Sequence, residues 1–554
     1  MGVILQATYK FPNGNTVPSP VDGNRRTPWW WDHLAAQANM FRNAGFTAIL
    51  LPPVMKTSSG AFAGADGYGL FDDYDPGSKN QKFSTPTRFG TREQLQRCTA
   101  IMRANGLDVY LDLVLHQRDG GNDFEYSYPG AGGAAGKGRF PKHKTCFVPN
   151  VPRDPIAGPV PDDSAFGDEM APINGLPKDY VLNGLTDAVE WQTRLLDAQG
   201  YRIDDTKGLA TAFLSHLLSS GPMATAFAVG EYYDGNPDDL NWWVWNSGMN
   251  GRSCTFDFSL RFMMQAMCNS ANSWDMTQLD HAGFAGRDAM HAVTFVENHD
   301  TDLNSPVIWN KALGYAYILT SEGYPCVYYK DYSQDAGCYG LKAALDPLIW
   351  IHENLADGPT VFRHKEFQFV VYERTGVPNL LVGLNNDITD KWKTVTVPTG
   401  FGPHVLLHDY TGHSGDIWTD GAGNVTLGIP PNSNGAGYVC YSRAGLSRPN
   451  AVKRLSTTQL FEGAEDLDIP PAAPGATQKV GRIWCEPGFA VTLQAEGEKD
   501  LKFDVLDPSG IALSVVNGTA MTRSRGWHTL RVTSSAQAPE PFRLEATWTG
   551  TQTL

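Results

Sequence analysis

Short apolar runs alternate with amphipathic segments over roughly the first 350 residues, a pattern that indicates strands and helices in turn. Three of the amphipathic segments end in glycine, which commonly follows the last residue of a helix. Eight runs have the length of strands: VILQATY, FTAILLPP, DVYLDLVL, GYRIDD, TAFAVGE, SCTFDF, HAVTFVENHD and YPCVYY. Eight strand–helix units predict an α/β fold, a (β/α)₈ or TIM barrel, over residues 1–117 and 186–355. An open doubly wound sheet is the alternative.

The rest of the chain departs from this pattern. Residues 118–185 are rich in Gly, Pro, Asp and Lys, and a connection longer than ~15 residues usually forms a functional loop or a subdomain. We therefore predict an inserted loop subdomain there. Residues 356–446 and 475–554 consist of short β-like runs with Gly and Pro between them, which predicts an antiparallel β domain and a C-terminal β-sandwich module. The Pro- and Ala-rich residues 467–477 are interpreted as a linker.

Composition narrows the classes of partner. The net charge is −15, and phosphate contacts need clustered Lys and Arg, so neither a nucleic acid nor an anionic membrane surface is expected. No apolar stretch reaches the ~18 residues of a membrane helix. The eight cysteines form no C-x-x-C pair, which argues against a zinc ribbon and leaves disulfides open. No signal peptide is visible, so we expect a cytoplasmic protein if Met1 is the native start and a secreted one if a signal was removed.

Polar side chains follow three of the predicted strands at their C-terminal ends, where chemistry collects in such a barrel. On the fourth strand, Arg202 and Asp204 share a face because alternate residues of a strand point the same way. A cation beside Asp204 would keep it ionised, as a nucleophile requires. Glu231 follows the fifth strand, where a partly apolar cleft would raise the pKa of a general acid. His299 and Asp300 follow the seventh strand.

Together these carboxylates suit the cleavage of a glycosidic bond. One carboxylate must attack the anomeric carbon while an acid protonates the leaving oxygen, and a separation of ~5–5.5 Å is typical of retaining enzymes. We predict that Asp204 is the nucleophile and Glu231 the general acid/base, while Asp300 and Arg202 stabilise charge near the transition state. The structural alternatives are an ion pair at Asp204, a solvated strand end at Glu231 and a polar turn around Asp300.

These motifs resemble those of the α-amylase family, glycoside hydrolase family 13. GYRIDDTK looks like its G-x-R-x-D nucleophile motif, VGEYY like its acid/base segment and FVENHD like its third-carboxylate motif. DGYGLFDDYDPGSKNQKFSTPTRFGTREQL and KALGYAYILTSEGYPCVYYKDY are similar to longer stretches of bacterial and plant α-amylases. The resemblance covers roughly residues 3–386. It implies a retaining, endo-acting α-1,4-glucan hydrolase that acts on starch and maltooligosaccharides, and we expect a monomer.

The resemblance also implies roles for single residues. Tyr68 in DGYG would stack on the sugar at the cleaved bond, and Arg202 would orient Asp204. His299 would hydrogen-bond to sugar hydroxyls, and Lys207 would contact a sugar on the leaving side. The structural alternatives are a loop anchor for Tyr68 and a solvated helix-start residue for Lys207.

Two positions depart from the family pattern. The third strand reads DLVLHQ where the family has D-x-V-x-N-H, so His116 replaces a calcium ligand and Gln117 replaces a sugar contact. Imidazole is a poor ligand for this oxygen-seeking ion, whereas Gln117 can still hydrogen-bond to a hydroxyl. Residues 170–180, MAPINGLPKDY, stand where relatives often have an Asp-rich calcium segment. We therefore expect no required cofactor and doubt the usual calcium site. Gly208 is the second departure, because many relatives have His there.

Two other functions stay open at this point. A transglycosylase on the same scaffold would share the glycosyl intermediate but pass it to a sugar hydroxyl instead of water. A non-catalytic glucan-binding protein is the third possibility, although binding alone does not need three carboxylates. The C-terminal module resembles small β-sandwich repeats of secreted bacterial enzymes. Its residues Trp484, Trp527 and Trp548 could form a starch-binding platform or belong to its core.

Overall fold

Strands and helices alternate in the first part of the chain. The computed structural model describes residues 2–11, 14, 16–151, 160–161, 166–171, 179–450, 453–496 and 500–554. The strands are β1 (Ile4–Gln6), β2 (Ala48–Leu50), β3 (Lys56–Thr57), β4 (Leu70–Asp72), β5 (Asp108–Leu113), β6 (Gln117–Arg118), β7 (Asp168–Glu169), β8 (Gly200–Ile203), β9 (Phe227–Gly230), β10 (Cys254–Phe256), β11 (Ala292–Phe295) and β12 (Tyr324–Tyr328). The helices are α1 (Trp30–Ala44), α2 (Arg92–Ala104), α3 (Tyr180–Leu196), α4 (Thr211–Leu217), α5 (Pro237–Trp245), α6 (Phe258–Asn269), α7 (Thr301–Asn304), α8 (Lys311–Ile318), α9 (Tyr329–Tyr332) and α10 (Lys342–Leu355).

Eight of these strands form a closed parallel barrel, in the order β1-β12-β11-β10-β9-β8-β5-β2. Each of the eight apolar runs contains one barrel strand, so the predicted (β/α)₈ fold is confirmed. Every residue of β1, β2, β8 and β11 is buried, as expected for strands covered on both faces. The chain divides into two compact units: Met1–Tyr9, Phe41–Ala48 and Val229–Ala451 form the first, and Lys10–Met40, Ile49–Ala228 and Val452–Leu554 form the second.

The insertion after β5 is anchored inside the second unit. Its strands β6 and β7 pair antiparallel, with Arg118 opposite Asp168. Asp73, next to the end of β4, forms ion pairs with the buried side chains of Arg118 and Lys142. Helix α3 begins at Tyr180, a few residues before the predicted end of the insertion, because the Asp179 side chain caps it. Residues 172–178 of the MAPINGLPKDY segment lie outside the described residues.

The antiparallel β domain follows α10 within the first unit. Its strands are β13 (Thr360–Lys365), β14 (Phe369–Arg374), β15 (Leu380–Asn385), β16 (Lys393–Pro398), β17 (Leu406–Asp409), β18 (Ile417–Trp418), β19 (Asn424–Ile429) and β20 (Tyr438–Arg443). Six of them form a sheet in the order β13-β14-β15-β20-β17-β18, and β16 pairs with β19. Alternating apolar residues of these strands, including Val371, Leu381 and Val439, form the core of the domain.

The C-terminal module begins earlier than its predicted start at residue 475. Its strands are β21 (Thr457–Gly463), β22 (Thr477–Cys485), β23 (Ala490–Glu496), β24 (Leu501–Leu506), β25 (Val515–Val516), β26 (Thr519–Met521), β27 (Gly526–Ser534) and β28 (Phe542–Trp548). One sheet has the order β21-β28-β23-β26-β25 and the other β22-β27-β24. Because β21 pairs with β28 along its whole length, residues 467–477 are not a linker between domains. They connect the two sheets of one sandwich.

The module packs on helices of the second unit. The buried Gln459 side chain donates from Nε2 to Gln96 O over 2.9 Å and to Thr99 Oγ1 over 2.8 Å, both on α2. Glu93 on the same helix accepts from Lys479 Nζ over 2.6 Å and from Arg482 Nε over 2.9 Å. Ala100 belongs to the apolar core of the module. The sandwich is therefore a packed part of this unit.

The three tryptophans of the module do not form an open platform. Trp548 is buried in the core of the sandwich. Trp484 and Trp527 meet edge to face at 5.3 Å, and the Arg97 guanidinium of α2 lies 5.0 and 4.7 Å from their ring centres. All three tryptophans therefore pack against other parts of the protein, as the second interpretation of these residues proposed.

The eight cysteines are all free thiols. None of the helices described in the structure has both the length and the apolar character needed to cross a bilayer.

Candidate active site

Asp204 is the first residue after β8, and it lies beside a buried cation. Arg202 Nη1 donates to Asp204 Oδ1 over 2.8 Å and to Asp112 Oδ1 over 2.6 Å. All three residues are buried, and a guanidinium in such surroundings favours the ionised form of a carboxylate. The shared charge-assisted hydrogen bonds also fix the position of the Asp204 side chain. The contact between Arg202 and Asp204 is the one that their alternation along the strand predicted.

Asp112 completes this network, although it was not among the predicted site residues. Strands β5 and β8 are parallel neighbours in a register that pairs Asp112 with Arg202. The Tyr68 hydroxyl donates to Asp112 Oδ2 over 2.8 Å, and Arg202 Nη1 lies 3.4 Å from the same hydroxyl. Asp112 thus links the tyrosine of the DGYG loop to the arginine beside Asp204. The available signal was its place at the start of the D-x-V motif.

The Tyr68 ring is held by its loop and remains half-exposed. Its backbone N–H donates to Asp66 Oδ1 over 3.1 Å, and Lys10 Nζ lies 4.5 Å from the ring centre. Gly67 has a φ of +107°, and a Cβ there would lie 2.8 Å from Pro53. The residue is therefore anchored through its hydroxyl and backbone while part of its ring faces solvent.

The first unit carries the other predicted carboxylates. Glu231 directly follows β9 and is half-buried. His299 Nε2 lies 3.1 Å from Asp300 Oδ2, and its Nδ1 lies 3.1 Å from Gln6 Nε2, which comes from β1. Asn298 Oδ1 accepts from the backbone N–H of Asp300 over 3.0 Å. This short turn fixes His299 and Asp300 at the C-terminal end of their strand.

Glu297, the first polar residue after the seventh apolar run, is fully hydrogen-bonded within the protein. Its Oε1 accepts from Arg261 Nη2 over 2.6 Å and from Thr301 Oγ1 over 2.5 Å, and its Oε2 accepts from the Val307 N–H over 2.6 Å. Lys311 Nζ lies 3.5 Å from the same carboxylate. Glu297 therefore braces the loop that presents Asp300.

The chain is similar to known proteins of the α-amylase type. Residues 380–442 match the family model described as Alpha-amylase C-terminal. A glucan 1,4-alpha-maltohexaosidase of Bacillus sp. (strain 707) is 26% identical over 484 residues, covering 77% of this chain and 89% of that protein. An alpha-amylase of Geobacillus stearothermophilus is 27% identical over 462 residues, covering 74% and 81%. These similarities support a glycoside hydrolase of the α-amylase type.

A solved structure has a fold similar to that of this chain. The crystal structure of CldA, a cyclomaltodextrin glucanotransferase, aligns with a TM-score of 0.58 and 18% identity, covering 80% of this chain and 99% of that one. At this identity the likeness concerns the fold.

Carboxylate and amide oxygens surround the ring of His116. Its Nδ1 lies 3.3 Å from Asp205 Oδ2 and 3.1 Å from Gln117 Oε1, and its Nε2 lies 3.5 Å from Glu169 Oε1. Burial alone would lower the pKa of His116, but the nearby carboxylates of Glu169 and Asp205 outweigh it and raise the pKa.

These residues do not fit the family's calcium site. Calcium prefers oxygen ligands, and the buried His116 offers a ring nitrogen where the family pattern has Asn. Among the described residues, no group of three or more His, Cys, Asp or Glu side chains is arranged to hold a metal. The two departures from the family pattern are also coupled in space, because a Cβ at Gly208 would lie 2.6 Å from His116 Nε2. The imidazole at position 116 occupies the space that a side chain at position 208 would need.

Gln117 and Lys207 complete the predicted set. Gln117 is buried in β6, and its Nε2 lies 3.4 Å from the carbonyl oxygen of Tyr68. Lys207 is half-buried in a 3₁₀ turn, Thr206–Gly208, directly after Asp205. The structure thus links Tyr68, Gln117, Arg202 and Asp204 within the second unit and His299 with Asp300 within the first. The roles of all eight residues remain predictions.

Proposed function

We propose that this glycoside hydrolase is a retaining, endo-acting α-1,4-glucan hydrolase that cleaves starch and maltooligosaccharides through a glycosyl–Asp204 intermediate. The observation that carries the proposal is the Arg202 guanidinium shared between Asp112 and Asp204, with the Tyr68 hydroxyl on Asp112. An ionised, rigidly held carboxylate after a barrel strand is what a nucleophile for an anomeric carbon needs.

The proposed reaction has two displacements. The Asp204 carboxylate attacks the anomeric carbon, the bond to the glycosidic oxygen breaks, and the protonated Glu231 gives its proton to that oxygen. Glu231, now a carboxylate, then takes a proton from water, the water oxygen attacks the same carbon, and Asp204 leaves. Two inversions at one carbon restore the α configuration.

The remaining residues have supporting roles in this proposal. Asp300 and Arg202 stabilise charge near the oxocarbenium-like transition state, and His299 and Gln117 hydrogen-bond to sugar hydroxyls. The half-exposed ring of Tyr68 offers an apolar face to the sugar at the cleaved bond. Lys207 contacts a sugar on the leaving side.

We also propose that the enzyme needs no calcium. The support is that the buried imidazole of His116, a poor calcium ligand, lies between Asp205 and Glu169. No step of the proposed reaction uses a metal.

The test is a product analysis of soluble starch and maltoheptaose, by chromatography and by NMR of the new anomeric centre. Short products released first as the α-anomer are expected. Products longer than the substrate, or cyclic products, would show that the enzyme is a transglycosylase and not a hydrolase. First release of the β-anomer would refute the retaining mechanism, and no turnover would favour a binding protein.

A matched pair of variants tests the nucleophile. Asp204→Asn should lower kcat/KM by about 10⁴-fold or more while starch binding persists. Asp205→Asn is the control, because this neighbouring carboxylate lies near His116, and activity should stay within about tenfold. Similar losses in both variants would refute the specific role of Asp204.

A further inference from the structure

Helix α7 directly follows Asp300, and it is too short to hold its own position. It has four residues, Thr301–Asn304, and an isolated helix of this length is unstable in water. Asn298 Oδ1 accepts from the backbone N–H groups of Asp300 and Thr301 over 3.0 and 2.8 Å, which fixes the first turn. The direction of the helix must therefore come from contacts of its side chains with neighbouring segments.

Asp302, the second residue of α7, makes such a contact. Its side chain is 0% exposed, whereas the side chain of Asp300 is 36% exposed. Residues two apart in a helical turn point to nearly opposite sides of it. A restraint on the buried side chain of Asp302 therefore also sets the direction in which the Asp300 carboxylate points.

Two residues that follow β12 hold the Asp302 carboxylate. Lys330 Nζ donates to Asp302 Oδ2 over 2.5 Å, and the Tyr339 hydroxyl donates to Oδ1 over 2.7 Å. The backbone N–H of Tyr339 donates to Lys330 O over 2.7 Å, so the two donors are also fixed to each other. The segment after the eighth barrel strand thus clamps the helix after the seventh.

Lys330 is the main counter-charge of Asp302. Lys311 Nζ lies 4.0 Å from Asp302 Oδ1, but it lies 2.5 Å from Asp331 Oδ1 and 3.5 Å from Glu297 Oε2, so two other carboxylates share its charge. The Lys330 side chain is 8% exposed, and a buried ion pair adds little stability compared with apolar groups of the same size. Its charge-assisted hydrogen bond instead fixes the geometry of the two segments that it joins.

We propose that Lys330 and Asp302 are positioning residues for the reaction, because their ion pair holds α7 so that the Asp300 carboxylate stays where it stabilises the transition state. The proposal rests on the proposed function, which gives Asp300 that role. Both residues act through Asp300 and are not themselves catalytic residues. A displacement of about 1 Å at a reacting group can lower a rate about 100-fold, so kcat should be affected more than KM.

The kinetic test uses the double variant Asp302→Asn/Lys330→Met, which removes both charges and leaves neither buried without its partner. The matched control is Asp387→Asn/Lys393→Met, an ion pair of the β domain whose side chains are 3% and 17% exposed. On maltoheptaose the first variant should lower kcat about 10- to 100-fold with KM near that of the parent, and the control should keep both values. An unchanged kcat in the first variant would overturn the proposal.

A third measurement distinguishes positioning from a general loss of structure. In chains that carry Asp300→Asn, Asp302→Asn/Lys330→Met should lower kcat by less than about a further twofold, because the pair acts through a carboxylate that is no longer there. A loss in that background as large as in the parent background would show that the pair does not act through Asp300. That result would overturn the proposal as well.

Hydrogen exchange without substrate separates this proposal from the proposed function. In Asp302→Asn/Lys330→Met the amides of residues 297–305 should exchange about tenfold faster or more than in the parent, while those of the β domain keep the parent rate. Exchange at the parent rate in residues 297–305, or a uniform rise over the whole unit, would overturn the positioning role whether or not the parent is active. A parent that binds maltoheptaose but never cleaves a glucan would overturn the proposed function and with it the catalytic part of this proposal.

Discussion

One buried carboxylate, Asp73, holds the insertion after β5 in place. The variant Asp73→Asn measures how much this carboxylate contributes to the free energy of unfolding. The residue adjoins β4, and its Oδ2 accepts from Lys142 Nζ over 2.7 Å while its Oδ1 pairs with Arg118. The side chains of Asp73, Arg118 and Lys142 are 3%, 0% and 0% exposed. The amide variant keeps the shape of the side chain but leaves two buried cations without their counter-charge.

The size of the effect follows from this geometry. Burial alone would raise the pKa of Asp73, but Arg118 and Lys142 outweigh it and lower the pKa from 3.8 to about 2. That difference corresponds to about 2 kcal/mol of stabilisation at neutral pH. The two buried cations would also lose their counter-charge, which lowers the stability further. Removal of one partner from a buried ion pair typically costs about 3–5 kcal/mol. We expect a loss in this range, a large part of the ~5–15 kcal/mol that stabilises a domain.

The assay is unfolding in guanidinium chloride at pH 7, together with the rate of proteolysis within the insertion. Lys144→Gln is the control, because Lys144 and its partner Asp123 have side chains 50% and 70% exposed, and such pairs contribute below about 1 kcal/mol. Since the folded pKa of Asp73 is depressed, its stabilisation is present above pH ~4 and is lost as the pH falls towards 2. The variant should therefore lose less stability in acid than the parent. A loss at pH 7 no larger than that of Lys144→Gln would refute the reasoning.

Three further predictions follow from other contacts. Activity on starch should survive EDTA, and a loss that added Ca²⁺ restores would overturn the proposed calcium independence. The pKa of His116 is raised in the fold, so its stabilisation is complete below its unfolded pKa of ~6.5 and is lost as the pH rises through the higher folded value. His116→Gln should accordingly flatten the dependence of Tm on pH above about 6.5, and a dependence equal to that of the parent would contradict this. Gln459→Leu removes the amide that donates to Gln96 O and Thr99 Oγ1, although Thr99 Oγ1 still donates to Gln96 O, and should cost about 0.5–1.5 kcal/mol in unfolding experiments. An unchanged Tm would exclude the packing role of this contact.

The barrel and part of the candidate site could be predicted because their signals are local. Each barrel strand lies in a mainly apolar run, and the pairing of Arg202 with Asp204 follows from alternation at the end of one such run. The role of Asp112 depends on the register between β5 and β8, which two separate runs do not specify. The fit between His116 and Gly208 likewise requires tertiary structure.

The composition of a segment was misleading where two kinds of structure have the same composition. A Pro- and Ala-rich segment suits a linker between domains as well as a connection between the sheets of one sandwich. Only the pairing of β21 with β28 distinguishes them. The polar residues after β11 also looked alike in sequence, yet Glu297 is fully engaged by Arg261 and its neighbours while Asp300 is partly exposed.

The second unit is built from segments that the ribosome makes far apart in time. Helices α2 and α3 belong to its early part, but the strands that cover them, β21–β28, follow only after Val229–Ala451 has been synthesised. At ~5–20 residues per second this interval is roughly 10–50 s. During it, the face of α2 around Ala100 has no sandwich to pack on and exposes apolar surface. This unit can therefore finish folding only after β28 has been synthesised.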